Sequence, residues 1–162
     1  MKRSNVLVVD DELGPRESLR MILSPSFNVY TAEDGHHALE IIQAVPIDLV
    51  TLDLKMPGMP GEEVLRRIKR WDPTIEVIII TGYGTLQSAV DAIRYNVFDY
   101  ILKPFNVADI LATVNRCIKR REMSIKLKDL LEGGEHPPPL KTYEGIVEFL
   151  RQLEEFYYPP QG

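Results

Sequence analysis

The chain has 162 residues, 44% hydrophobic and 27% charged, an ordinary globular composition that argues against disorder throughout and suits one domain plus an appendage. Nineteen Lys+Arg against 24 Asp+Glu leave a formal charge of -5, so no global basic field exists to hold nucleic acid or an acidic membrane surface. The single cysteine, Cys117, excludes an internal disulfide framework and a multi-cysteine zinc site, and it fits a reducing, cytoplasmic setting.

After Met1-Lys2-Arg3 the apolar run Val6 to Val9 stops at Asp10-Asp11, too short for a signal-peptide core. It reads as a first strand, Asn5 to Asp10. Leu19, Ile22 and Leu23 then recur at helical spacing, and a second strand runs from Phe27 to Thr31. A helical period through Ala38, Ile41, Ile42 and Val45 leads to a third strand, Ile47 to Asp53. Val64, Leu65 and Ile68 mark the next helix, Ile75 to Ile80 the fourth strand, and Leu86, Ala89, Val90 and Ile93 the helix after it. A shorter strand, Phe98 to Leu102, precedes a helix carrying Val107, Ile110, Leu111, Val114 and Ile118. Each helix shows one apolar stripe. No apolar stretch approaches the roughly 20 residues of a membrane span.

Three of these strands are almost continuously apolar, as strands buried on both faces are. Strict alternation of five strands and five helices, with right-handed crossovers, predicts an α/β fold: a doubly wound five-stranded parallel sheet. In such sheets ligands bind at the carboxyl ends of the strands.

Near Arg121 the character changes, placing a first domain at residues 1–122 and a tail at 123–162. Glu132-Gly133-Gly134 and Pro137-Pro138-Pro139 mark a linker. Beyond it Thr142 can cap a helix with Tyr143, Ile146, Val147, Leu150, Leu153 and Tyr157 on one face, until Pro159-Pro160 stop it. The fifth helix period continues past Arg121, through Ile125 and Leu127, toward Leu130 and Leu131. From Met123 onward four Lys/Arg face seven Asp/Glu, an unusual sign for a DNA-reading module. The aromatic density of the second tail helix, from Tyr143 through Phe149 to Phe156, Tyr157 and Tyr158, points to an interaction element or the start of a further module.

The informative polar residues stand at strand ends. Asp10 and Asp11 close the first strand, Asp53 the third and Thr81 the fourth, and Lys103 follows the fifth, so the fold brings three carboxylates, a hydroxyl and an ammonium to one edge. Carboxylates a few ångströms apart repel by several kcal/mol at intermediate dielectric and need compensation. Lys103 offsets one charge, and a hard divalent cation with oxygen ligands, Mg²⁺, suits the rest. Such a site fits phosphoryl chemistry, with Asp53 the best nucleophile.

The motifs "VLVVDDE" at Val6 to Glu12, "DLVTLDLKMPGMPG" at Asp48 to Gly61, "VIIITGYG" at Val77 to Gly84 and "YILKPF" at Tyr100 to Phe105 make the chain resemble, from about Arg3 to Arg121, the receiver domain of two-component response regulators. "TGYGT" and "YILKPF" further resemble receivers of NtrC-type activators. The resemblance implies the flavodoxin-like strand order 2-1-3-4-5 and a phosphoryl group accepted by Asp53 from a sensor histidine kinase or phosphotransfer protein. Mg²⁺ would be held by Asp11, Asp53 and the Lys55 backbone carbonyl, with Asp10 assisting through water. Lys103 and Thr81 would bind phosphoryl oxygens, and Tyr100 would be the switch aromatic that alters a surface offered to a protein partner or a second copy. It also implies a cis Lys103-Pro104 bond, and it makes Lys55 and Tyr83 the positions that tune phosphate lifetime. No direct nucleic-acid or membrane binding is expected, and no enzyme activity beyond the domain's own phosphorylation and dephosphorylation.

Taken singly these residues have plainer readings. Asp10-Asp11 could cap a helix before Gly14-Pro15-Arg16, Thr81 could end a strand, Lys103 could be surface charge and Tyr100 edge packing. Their joint placement favours the site. His36 and His37 point about 100° apart on a helix and cannot chelate together. The basic runs Arg66 to Arg70 and Lys119 to Arg121 read as solvated helix faces, and the glycines at 58, 61, 82 and 84 form no nucleotide fingerprint. Two other functions compete: an aspartyl-nucleophile hydrolase of related fold, which would need an acid where Lys55 stands, and a scaffold that works without phosphate.

Overall fold

The computed structural model describes residues 2–132 and, further on, 144, 145, 147, 148, 150 and 151, which are helical. The expected linker and most of the expected tail helix lie outside these residues. The elements are β1 (Asn5–Val9), α1 (Leu13–Leu23), β2 (Asn28–Ala32), α2 (Gly35–Ala44), β3 (Leu49–Leu52), α3 (Gly61–Trp71), β4 (Glu76–Thr81), α4 (Leu86–Arg94), β5 (Asp99–Leu102) and α5 (Val107–Glu132). All strands are parallel, in the order β2-β1-β3-β4-β5. The chain divides into two compact units, Met1–Ile118 and Lys119–Gly162, and the sheet belongs to the first.

The central strands β1, β3 and β4 are buried on both faces because each alternate residue joins a different helical layer, whereas the edge strands β2 and β5 are only partly covered. Leu7, Val9, Val50, Leu52, Val77 and Ile79 pack with Ala38 and Ile42 of α2, with Val64, Leu65 and Ile68 of α3, and with Ala92 of α4. On the other face Val6, Val8, Leu49, Ile78 and Ile80 pack with Leu19 and Leu23 of α1 and with Ile110, Val114, Cys117 and Ile118 of α5.

Strand ends differ from the sequence expectation by a residue or two. The amides of Asp10 and Asp53 still bond to neighbouring strands, at 3.1 Å to Ala32 O and 3.0 Å to Val9 O, but both acids stand just past the last ladder residue. α4 departs further. Its apolar residues Leu86 and Ile93 are 84% and 81% exposed, and the helix buries Ser88 and Ala92 instead, so the apolar stripe read from sequence is not the packing face.

Two glycines fix the path after β3. Gly58 has φ of +78°, open to glycine at no steric cost. At Gly61 a Cβ would fall 2.4 Å from Leu54 Cα and 2.5 Å from Asp53 O, so α3 starts in backbone contact with the end of the central strand.

Thr51 is buried on β3, and its hydroxyl has no hydrogen-bond partner. An unmet buried hydroxyl costs about 1–3 kcal/mol, and valine has nearly the same shape. Thr51→Val is therefore expected to stabilise the protein by about 1 kcal/mol in urea unfolding. A loss of stability would show that the hydroxyl is satisfied.

Candidate functional site

Three strand ends build the site. Asp10 and Asp11 leave β1, Asp53 leaves β3, the middle strand, and Lys103 leaves β5 ahead of a cis Lys103-Pro104 bond. The Lys103 ammonium lies 2.6 Å from Asp10 Oδ2, 3.2 Å from Asp53 Oδ2 and 3.9 Å from Glu12 Oε1. Asp10 and Asp53 are each only 2% exposed. Carboxylate oxygens of Asp10, Asp11, Glu12 and Asp53 all lie within 4.8 Å of one another.

The helix-cap reading of the acid pair does not hold. Glu12 is the N-cap of α1, and no side chain caps that helix; Asp10 Oδ1 instead accepts the Glu12 N–H at 2.9 Å. Both Asp10 oxygens are thus engaged, one by Glu12 and one by Lys103. Asp53 Oδ1 lies 3.4 Å from the Lys55 N–H and Oδ2 takes Lys103. The carboxylate of Asp11, a half-buried residue, receives no hydrogen bond from any described residue.

Burial raises the Asp10 pKa above its ordinary value, against the pull of the Lys103 ammonium and the Glu12 N–H, and the charge of Asp53 adds to the rise. Burial works against the Lys103 ammonium as well, yet the hydrogen bonds and charges of Asp10 and Asp53 outweigh it and raise its pKa. Four carboxylates and one ammonium leave three negative charges uncompensated in the cluster. An oxygen-only set with a free carboxylate, Asp11, fits a hard divalent cation.

The side chains of the remaining expected residues are bonded elsewhere. Thr81, fully buried, accepts the Tyr83 N–H on its hydroxyl at 3.2 Å. The Lys55 ammonium sits 3.8 Å from the centre of the Tyr83 ring, so the two positions expected to tune lifetime touch each other, joining the loops after β3 and β4. Tyr100 is half-buried, and its hydroxyl meets Ser88 Oγ at 2.7 Å. Ser88 in turn forms a capping box with Thr85 at the start of α4.

Sequence reasoning missed Glu12 as a member of the cluster, the Ser88 partner of Tyr100, and Arg16, which donates to the carbonyls of Asp10 and Asp11. Glu12 stands next to the acid pair and could have been included on that ground. Of the basic run on α3, Arg66 and Arg67 are exposed and pair with Glu63, whereas Lys69 is half-buried and donates to the Ile75 carbonyl at 2.7 Å.

Residues 6–115 match the family described as the response regulator receiver domain. A putative NtrX-like response regulator of Rickettsia bellii (strain RML369-C) is 37% identical over 136 residues, covering 79% of this chain and 28% of its own length. The DNA-binding transcriptional regulator NtrC of Escherichia coli (strain K12) is 37% identical over 119 residues, 73% of this chain and 25% of that protein. The chain therefore spans little more than a quarter of these curated relatives. Among solved structures, a CheY-like receiver domain protein of Methanospirillum hungatei JF-1 superposes with a TM-score of 0.74 at 27% identity, over 76% of this chain and 99% of that one. NtrX from Brucella abortus, solved with ADP, superposes with a TM-score of 0.75 at 30% identity, over 98% of this chain and 35% of that one.

The raised Asp10 pKa has a consequence for stability. Its protonated form favours the fold, a contribution complete below the ordinary value of 3.8 and lost as pH rises through the folded-state value. In chelator, Asp10→Asn is expected to be more stable than the parent near neutral pH, with the difference narrowing as pH falls toward about 4. Urea melts at two pH values check this. A neutral-pH loss in the variant would show that the Lys103 contact outweighs burial.

Proposed function

The chain belongs to the response regulator receiver domain family of two-component signalling, and on that premise we propose that Asp53 is its phosphoacceptor. The observation that carries this reading is the Lys103 ammonium bridging Asp10 and Asp53 at the end of the central strand, beside the donor-free carboxylate of Asp11. Asp11, Asp53 and the backbone carbonyl of Lys55 would hold Mg²⁺, with Asp10, its oxygens already engaged, reaching it through water. Bound there, the cation supplies positive charge against the acids and the incoming phosphoryl oxygens.

An Asp53 carboxylate oxygen forms the bond to phosphorus as the bond from phosphorus to the kinase imidazole breaks. The imidazole keeps the electron pair and takes up a proton. Lys103 already holds Asp53 and can follow a phosphoryl oxygen as charge develops, while Thr81 can donate its hydroxyl to another. A cavity of about 700 Å³ lined in part by Pro15, Gly82, Lys103 and Phe105 leaves room beside the lysine for a phosphodonor.

Thr81 and Tyr100 would carry the change outward. The surface offered to a downstream partner or second copy is the face of α4, β5 and α5, where Leu86 and Ile93 are strongly exposed. The division into a receiver, residues 1–122, and an interaction tail, 123–162, belongs to the same proposal, as do a cytoplasmic location and catalysis limited to the domain's own modification. Among the described residues no helix is long and apolar enough to cross a membrane. The hydrolase alternative is disfavoured by Lys55, whose ammonium rests on Tyr83 where that chemistry needs an acid.

Incubation with a small phosphodonor and Mg²⁺ is expected to add the mass of one phosphoryl group to the parent and none to Asp53→Asn. Equal modification of both would overturn the assignment. Sizing of the same samples reads any phosphate-dependent self-association.

The Lys55–Tyr83 contact gives a further expectation. An exposed cation–π pair contributes about 0.5–1 kcal/mol. If opening it admits the hydrolytic water, Tyr83→Ala speeds dephosphorylation roughly two- to five-fold. An unchanged rate refutes the shielding role.

A further inference from the structure

Asp11 poses a physical question: no described residue donates to its carboxylate, so its own side-chain contacts do not aim it. The aim must come from the backbone, and the backbone on both sides of Asp11 is held by one group. Arg16, within the first turns of α1, donates from Nη1 to the Asp10 carbonyl at 2.8 Å and to the Asp11 carbonyl at 3.3 Å. Those two carbonyls belong to the two peptide units that flank the Asp11 Cα. Each unit is planar, leaving only φ and ψ free between them. Pinning both planes therefore sets the direction of the Asp11 Cα–Cβ bond, from which the carboxylate reaches the cluster.

Two observations separate this from ordinary surface bonding. The next turn is locked from the other side, where Asp10 Oδ1 accepts the Glu12 N–H at 2.9 Å. Arg16 also forms no ion pair among the described residues, whereas Arg20, one turn later on the same helix, pairs with Glu17 at 2.8 Å. The Arg16 guanidinium is committed to the main chain behind the acids.

We propose that Arg16 is a positioning residue that presets the Asp11 carboxylate for a divalent cation before the cation arrives. The proposal rests on the reading that Asp11 and Asp53 hold Mg²⁺, and it assigns to α1 the task of preparing that site. Partners behind a metal ligand typically change metal affinity by about 10- to 100-fold when removed, and an effect of that size is expected here.

The test is a Mg²⁺ titration of the full chain followed by thermal unfolding, which separates the metal-free midpoint from the concentration at which Mg²⁺ raises it. Arg16→Ala is expected to shift that concentration upward by roughly 10- to 100-fold. Arg20→Ala, which breaks a surface pair on the same helix, is expected to leave it unmoved even if the metal-free midpoint falls. Arg16→Lys keeps the charge on a side chain one bond shorter, whose Nζ does not reach the Nη1 position, and is expected to recover part of the loss; it also serves if the alanine variant does not fold. A parent-like Mg²⁺ dependence in Arg16→Ala, or complete recovery in Arg16→Lys, overturns the positioning role and leaves a structural cap or a bare charge. A parent protein that Mg²⁺ does not stabilise overturns the cation reading itself, and this inference with it.

Discussion

The contact of one ammonium with two buried carboxylates, Lys103 with Asp10 and Asp53, governs the rest of the site. Two unit charges 4 Å apart at an effective dielectric near 20 interact by about 4 kcal/mol. A cluster of four acids would therefore oppose the fold strongly if left bare. A single lysine cannot neutralise four acids, and burial, with a smaller push from the Asp53 charge, raises the Asp10 pKa in spite of it. The unpaired charge is tolerated because the surrounding sheet is over-determined: β1 and β3, which deliver the buried acids, are covered by helices on both faces. Excess negative charge held by a rigid scaffold suits a hard cation and, on the proposed function, would through it draw an anionic phosphoryl group.

Sheet topology explains why these particular residues meet. In a parallel sheet every strand delivers its carboxyl end to the same edge, and the order β2-β1-β3-β4-β5 sets β1 and β4 on either side of β3. Asp53 consequently emerges between Asp10-Asp11 and Thr81, with Lys103 reaching across from β5. Gly61 keeps α3 against the Asp53 and Leu54 backbone, so the loop bearing Lys55 turns back over the site rather than away from it.

Much of this was legible in the sequence, because the fold and the site use opposite signals. Apolar runs such as VIII at 77–80 announce strands buried on both faces, and a polar or charged residue that ends such a run at the carboxyl edge of the sheet points to function or turning. Asp10, Asp53, Thr81 and Lys103 stand out on that ground. What stayed hidden has no such contrast. Arg16 bonds to main-chain carbonyls, which every residue possesses, so its partner choice leaves no trace in composition or spacing. The α4 stripe misled for a related reason: Leu86, Val90 and Ile93 have helical spacing, but spacing alone does not say which face the sheet covers, and that helix packs through Ser88 and Ala92.

The loop between β4 and α4 shows how the site and the outer face share few degrees of freedom. At its start the Thr81 hydroxyl accepts the Tyr83 N–H; at its end Thr85 and Ser88 cap each other, and Ser88 meets the Tyr100 hydroxyl. A Cβ at Gly84 would lie 2.8 Å from Leu102 and 3.3 Å from the Tyr100 hydroxyl, so the middle of the loop is pressed against β5. On the proposed phosphorylation of Asp53, a phosphoryl oxygen that took up Thr81 as a donor would leave the hydroxyl oxygen free to keep its bond to Tyr83 only if the loop followed the threonine. The loop cannot follow without moving past Tyr100 or drawing on the Ser88 bond that holds it. Under the proposed phosphorylation, coupling between the buried acids and the exposed end of α4 would need no long pathway, only the five residues Thr81, Tyr83, Thr85, Ser88 and Tyr100, whose hydrogen bonds already span the loop.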